Sequence, residues 1–162
     1  MNNILYSAFT SRANGLANKL ISNITLVSNN KSIGGKGQWD TGATTTCISE
    51  KVVQDLGLVS TGRAQIATPS GIKTVGTYLI DIILPNKVMV KDIKVLETDI
   101  GRQGIELLIG MDVILGGDFA LTNLNKKTTI SFVSPSMKEI DFIPEANTRN
   151  LAMMKARGGA IK

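Results

Sequence analysis

Residues 39–44 read Trp39-Asp40-Thr41-Gly42-Ala43-Thr44, and they dominate the interpretation of this 162-residue chain. They place a carboxylate, a hydroxyl and a glycine in succession after an apolar residue, and no acidic residue precedes them. Such a carboxylate suits a tight turn, where backbone N–H groups and the Thr41 hydroxyl can hold it. Gly42 permits a positive φ or a close backbone approach without steric cost. Two such aspartates facing each other share one proton, and the pair can activate water and protonate a leaving amine.

A second motif lies downstream, where residues 107–114 read Leu107-Leu108-Ile109-Gly110-Met111-Asp112-Val113-Ile114. The first motif resembles the catalytic motif of the aspartic proteases. The second resembles the element of paired apolar residues, glycine and short helix in their retroviral-type, or retropepsin-like, members. Both occur in the family's order and separation, and the resemblance covers residues 20–132, with the bacterial, phage and retrotransposon-like branch as the best fit. The chain is too short for the two-lobed type and has one Asp-Thr-Gly triplet.

The resemblance implies an all-β fold, a small closed β-barrel with one or two short helices that works as a homodimer. It divides the chain into an N-terminal extension (1–19), a protease domain (20–134) and a basic C-terminal tail (135–162). The residue pattern agrees, because apolar alternation between turn residues predicts many short strands. The predicted strands are 21–27, 44–48, 63–68, 72–84, 87–96, 107–109, 119–124 and 128–133, and the predicted helices are 50–56 and 111–115.

By the same resemblance, Asp40, Thr41 and Gly42 form the catalytic motif. Asp40 is the reacting carboxylate and Thr41 braces the two subunits through its hydroxyl. Gly42 and Ala43 let the substrate backbone lie close to the carboxylates. The alternative is that Asp40 forms an Asx turn, which is common before glycine, and that its neighbours are ordinary β-favouring and turn residues.

The residues Thr68, Pro69, Ser70 and Gly71 form a predicted hairpin tip at the place where the family carries its flap. A flap closes over the substrate and excludes water, and the substrate is expected to bind as an extended polypeptide between flap and floor. These four residues are therefore candidate substrate-binding residues, together with Ile109. Pro69 departs from the Gly-rich flaps of viral members and is expected to stiffen the tip. Taken alone, the same tip is a plain hairpin turn.

One such carboxylate per chain requires two chains for a pair, so we expect a symmetric homodimer with the site on the two-fold axis. Asp112 lies at a predicted helix start, where a carboxylate satisfies free N–H groups. Asp118 follows Gly117 as in a turn, and we expect neither residue to complete the pair within one chain. The chemistry needs no metal and no organic cofactor. Met111 stands where many viral members have an arginine, so the dimer must be stabilised elsewhere.

Composition narrows the chemistry and the compartment. The chain has no histidine and one cysteine, which excludes His-based triads, His or Cys-cluster metal sites and an intramolecular disulfide. We recognise no secretory signal and no run of membrane-span length, so we expect a soluble, cytoplasmic protein that binds no membrane. Four of the 18 basic residues lie in 1–39 and four in 148–162, where acidic residues are absent, so the net charge of +5 belongs to the tails. Solvated ends are the plain interpretation, and attraction to nucleic acid or an acidic partner is the alternative.

Two other functions are compatible with the sequence. The fold could serve as a catalytically silent dimerisation or protein-binding module, although such a module has no chemical need for Asp40. A basic nucleic-acid-binding β domain would expose aromatic side chains on a sheet face, whereas the seven aromatics here are scattered along the sequence. Cys47 is expected to be a buried, inert thiol, or else a redox-sensitive one. Residues 151–157 are either a short amphipathic docking helix or a frayed terminus.

Overall fold

The computed structural model describes residues 4–68 and 71–158, which fold mainly into β-strands. Within these residues the strands are β1 (Ser7–Arg12), β2 (Ile21–Ser28), β3 (Lys31–Trp39), β4 (Cys47–Ile48), β5 (Gly62–Thr68), β6 (Gly71–Ile83), β7 (Met89–Glu97), β8 (Leu107–Ile109), β9 (Asp118–Thr122) and β10 (Thr129–Ser134). The helices are α1 (Glu50–Leu56), α2 (Met111–Ile114) and α3 (Ile143–Gly158).

Backbone pairing joins six strands into a ring. The larger sheet runs in the order β2-β3-β8-β4-β7-β6-β5, and β2 also pairs with β6 through Thr25–Val27 and Asp81–Ile83. The pairs β3–β8 and β4–β7 are parallel, and the remaining pairs of this sheet are antiparallel. The hairpin formed by β5 and the first half of β6 extends the sheet beyond the ring.

The interior of the ring is aliphatic. Ile24 and Leu26 on β2 are buried, as are Ile80 and Ile82 on β6, because alternate residues of a strand point to the same face. Val52 of α1 joins the same core. Removal of these side chains from water is the main favourable contribution to folding.

A separate three-stranded antiparallel sheet has the order β1-β10-β9 and packs on the ring through aromatic side chains. Trp39 at the end of β3 stacks on Phe119 of β9, with ring centroids 5.3 Å apart. Its ring also meets Phe9 at 5.7 Å and Phe132 at 5.1 Å. The Trp39 indole N–H donates to the Ser22 hydroxyl at 2.9 Å, which satisfies its polar atom in the core. Four aromatics that are scattered in sequence are therefore one cluster in space.

Helix α1 begins and ends as predicted. The Ser49 hydroxyl accepts a hydrogen bond from the Val52 N–H, which makes Ser49 the N-cap. Gly57 ends the helix in the left-handed region with φ 63°, and its N–H donates to the Gln54 and Val53 carbonyls.

The structure differs from the sequence prediction in several segments. Residues 7–12 and 31–39 form β1 and β3, which are not among the predicted strands. The strand predicted at 44–48 is wrong for its first three residues, because Thr46 donates its N–H to the Asp112 carboxylate instead of to a strand. The tail contains a 16-residue helix, α3, which is longer than the predicted segment 151–157. The side chains of residues 143–157 are all exposed, so neighbouring elements of this chain do not bury a face of that helix.

Candidate active site

Asp40 lies immediately after β3, at a turn held by the chain's own backbone. Its N–H donates to the Ile109 carbonyl at 3.0 Å, and its carbonyl accepts from the Ala43 N–H at 3.2 Å. Its side-chain oxygen Oδ1 accepts from the Gly42 N–H at 2.9 Å. The carboxyl group is therefore fixed by a backbone donor while the residue stays partly exposed, which is an arrangement that leaves it available to react.

The downstream motif meets this turn directly. The Met111 N–H donates to the Ala43 carbonyl at 2.8 Å, which links the start of α2 to the Asp40 loop. A Cβ on Gly110 would lie 2.8 Å from the Thr45 carbonyl carbon and 3.0 Å from the Ala43 oxygen. Because these are backbone atoms that cannot move aside cheaply, only glycine fits between the two loops. The two sequence motifs thus form one packed unit.

Thr46 and Asp112 provide a second link between the loops. The Asp112 carboxylate accepts from the Thr46 hydroxyl at 2.6 Å and from the Thr46 N–H at 2.9 Å. It also accepts from the Val113 N–H at 3.0 Å, the helix-start role that the sequence predicts. The Thr46 hydroxyl accepts in turn from the Gly110 N–H at 3.0 Å. Asp112 therefore has a structural task, which sequence reasoning found only in part.

The pairing of β3 and β4 with β8 places one row of side chains in the core and another row on the outer face beside Asp40. Trp39 lies opposite Ile109, and both are buried, so the Ile109 side chain faces the core while its carbonyl holds Asp40. Leu108 lies opposite both Gln38 and Cys47 on the other face, where all three are half-buried. Sequence reasoning missed Gln38 and Leu108, although the period-two alternation of β3 and β8 carries that signal.

Cys47 is half-buried, and its thiol donates to the Thr45 carbonyl at 3.4 Å. Burial raises the pKa of the Cys47 thiol, and the negative charges of Asp112 and Asp40 raise it further. A raised pKa leaves little thiolate at neutral pH, so an inert thiol is favoured over a redox-sensitive one.

Strands β5 and β6 form the hairpin in which the sequence predicts the flap. Thr68 and Gly71 form its last described pair, and the Thr68 hydroxyl donates to the Gly71 carbonyl at 2.7 Å. Gly71 has φ 114°, a conformation that favours glycine. The predicted tip residues Pro69 and Ser70 lie outside the described residues.

Asp118 is also engaged structurally. Its carboxylate accepts from the Ser136 hydroxyl, from the Met137 N–H at 2.7 Å and from the Lys138 N–H at 3.0 Å. These hydrogen bonds lower the pKa of Asp118 below its ordinary value. It fastens the segment after β10 to β9, so Asp40 stays the candidate reactive carboxylate of each chain.

Comparison with known proteins identifies the family of this chain. A family model described as "gag-polyprotein putative aspartyl protease" matches residues 29–115, which include both motifs. The chain belongs to this aspartic protease family. The retropepsin-like resemblance proposed from the two motifs is therefore confirmed.

A solved structure shows the same fold. A retropepsin-like aspartic protease from Rickettsia conorii is similar with a TM-score of 0.54 and 16% identity, over 83% of this chain and 99% of that one. The simian foamy virus protease is also similar, with a TM-score of 0.40 and 21% identity, over 56% of this chain and 89% of that one. No curated protein matched the sequence. The predicted retropepsin-like, mostly β fold is confirmed.

Within residues 4–68 and 71–158, no three His, Cys, Asp or Glu side chains are grouped so that they could hold a metal ion. No helix in the same residues is long and apolar enough to cross a membrane.

Proposed function

We propose that this chain is an aspartic endopeptidase that hydrolyses peptide bonds as a homodimer, with one Asp40 from each subunit. The observation that carries the proposal is the Asp40 turn at the end of β3, in which the Gly42 N–H holds the partly exposed carboxyl group and the Ile109 carbonyl accepts from the Asp40 N–H. The protease domain would comprise residues 20–134. Its substrate would be an extended polypeptide lying between this floor and the β5–β6 hairpin.

The mechanism follows from two carboxyl groups that share one proton. The ionised Asp40 takes a proton from water, whose oxygen attacks the scissile carbonyl carbon. The neutral Asp40 of the other subunit gives its proton to the carbonyl oxygen, which yields a tetrahedral diol. When the carbon–nitrogen bond breaks, one carboxyl group protonates the departing amine and the other takes a proton from the diol. The protons balance at each step, and the dyad returns to its starting state.

The neighbouring residues would have supporting roles in this dimer. Thr41 is exposed in the single chain, so its hydroxyl is free to brace the partner subunit. Gly42 and Ala43 would admit the substrate backbone. Leu108 would contact the substrate, because it is half-exposed on the face opposite the core.

Cleavage of a diverse unstructured peptide mixture, read by mass spectrometry from pH 4 to 7, tests the proposal. Asp40→Asn keeps the shape of the side chain but cannot share the proton, so we expect its cuts to disappear. Asp55→Asn, on the exposed face of α1, is the matched control and should cut like the wild type. Equal cutting by the wild type and Asp40→Asn would refute Asp40 catalysis. Equal absence of cutting, with the dimer confirmed, would favour the silent binding module.

A further inference from the structure

The turn between β9 and β10 forms an exposed basic tip, Leu124–Lys127. Leu124 is 78% exposed, and Lys126 and Lys127 are exposed beside it. Asn125 and Lys126 both have positive φ, at 53° and 59°, and the Lys127 N–H donates to the Leu124 carbonyl at 3.1 Å. The tip is therefore a tight turn that exposes the apolar Leu124 side chain to solvent beside two lysines.

Next to the tip lies an acidic groove of about 530 Å³, between β9 and residues 138–142. Its apolar wall includes Leu121, Ile140 and Phe142, which are 46%, 44% and 63% exposed. Its charged rim carries Glu139, Asp141 and Glu145 against a single lysine, Lys138. Among the described strands β9 pairs with β10 alone, so its edge along the groove has no strand partner.

The charges of the two features are opposite, and among the groove acids and tip lysines only Glu145 takes part in another ion pair of the described chain, with Arg149. The ion pairs within residues 4–68 and 71–158 are Lys51–Asp55, Asp99–Arg102 and Glu145–Arg149. The groove acids Glu139 and Asp141 and the two tip lysines are in none of them. Exposed apolar side chains rimmed by unpaired charge are typical of a protein interaction surface.

We propose that this surface is the contact between two copies of the chain, in which the tip of each copy enters the acidic groove of the other. The inference rests on the proposed homodimeric function and names the surface that would assemble it. A two-fold interface must be self-complementary, and this surface carries both a cationic apolar tip and an anionic apolar groove. The tip begins two residues after Thr122, which lines the groove, so the two features lie side by side on one surface, as a two-fold contact between them requires.

The surface is also continuous with the candidate active site. Phe119 lines the groove and stacks on Trp39, the residue before Asp40, with centroids 5.3 Å apart. Asp118 supports the groove by holding Met137 and Lys138 beside β9. Association at this surface would therefore act on the strand end that carries the catalytic carboxylate.

Charge reversal of the full-length chain tests the contact. The tip variant is Lys126→Glu/Lys127→Glu and the groove variant is Glu139→Lys/Glu145→Lys. Each alone places like charges on both contacts of its homodimer, so its dissociation constant should rise roughly tenfold or more. In an equimolar mixture, both contacts pair opposite charges, so the heterodimer should return to near wild-type affinity.

Sedimentation velocity over a protein dilution series measures these affinities, and circular dichroism checks that each variant is folded. The control is Lys91→Glu/Lys94→Glu, which makes the same charge change on the exposed side of β7 and should leave the affinity unchanged. A monomeric wild type, variants with unchanged affinity, or a mixture that does not regain affinity would each overturn the inference.

The readout separates this inference from the proposed catalysis. The mixed heterodimer contains two intact Asp40 residues, so it should also regain peptide cleavage. Regained dimer mass without Asp40-dependent cleavage supports the interface and refutes the catalytic proposal. Asp40-dependent cleavage by a dimer that tolerates both charge reversals refutes the interface and leaves the catalysis standing.

Discussion

Replacing Asp112 with alanine should destabilise the protein strongly, although the residue is exposed on one side. Thr46 is fully buried, and Asp112 is the acceptor for both its hydroxyl, at 2.6 Å, and its N–H, at 2.9 Å. The change leaves two buried donors without their charged acceptor, and each such loss costs about 1–3 kcal/mol. Because water can enter from the exposed side of Asp112, we expect a combined loss of about 2–3 kcal/mol.

Urea denaturation at pH 7 measures this loss, and a thermal melt should show a Tm lower by roughly 5–10 °C. The free energy of unfolding of Asp112→Asn should lie between those of wild type and Asp112→Ala, because its amide oxygen still accepts one hydrogen bond while its NH₂ faces the other donor. Asp55→Ala is the control, since it removes only an exposed pair with Lys51, worth less than about 1 kcal/mol. An Asp112→Ala protein within about 0.5 kcal/mol of wild type would refute the argument that this carboxylate locks the two loops.

Three further predictions concern single side chains. Gly110→Ala should lower the free energy of unfolding in urea by about 1–3 kcal/mol, because its Cβ would press on the backbone of Thr45. An unchanged free energy of unfolding would show that the two loops can move apart. Asp118 has a lowered pKa, so its contribution to stability is present above its ordinary value of 3.8 and is lost as the pH falls through the lower folded pKa. The stability difference between wild type and Asp118→Ala should therefore be constant at neutral pH and shrink below about pH 4, and a difference that persists at pH 2 would contradict this. The Cys47 thiol has a raised pKa, so its alkylation by iodoacetamide should be slow at pH 7 and its rate should still be rising with pH at 9.0, and rapid labelling at pH 7 would contradict this.

Local chemistry determined much of the fold from the sequence. Ser49 marks the start of α1 and Gly57 marks its end. Both could be predicted because a hydroxyl cap and a left-handed terminal residue act within a few residues of the chain. Alternation on β2 and β6 predicted the aliphatic core for a similar reason, since a strand repeats every two residues. The Asp40 motif and the Gly110 motif together indicated the family, which the family model confirmed.

Contacts between distant residues could be decided only by the tertiary structure. The seven aromatics look scattered in sequence, yet the pairing of β1, β10 and β9 brings Phe9, Phe119 and Phe132 around Trp39. The strand predicted at 44–48 is shorter in the structure, because the N–H of Thr46 donates to the Asp112 carboxylate, 66 residues away in the sequence.

The same distinction applies to the candidate site. The sequence pointed to Asp40 as the candidate reactive carboxylate, and the local turn there makes its own hydrogen bonds. It did not separate the faces of β8, on which Ile109 enters the core and Leu108 lies on the outer face. Side-chain direction there depends on the register between strands, and register is fixed by pairing across the whole ring rather than by neighbouring residues.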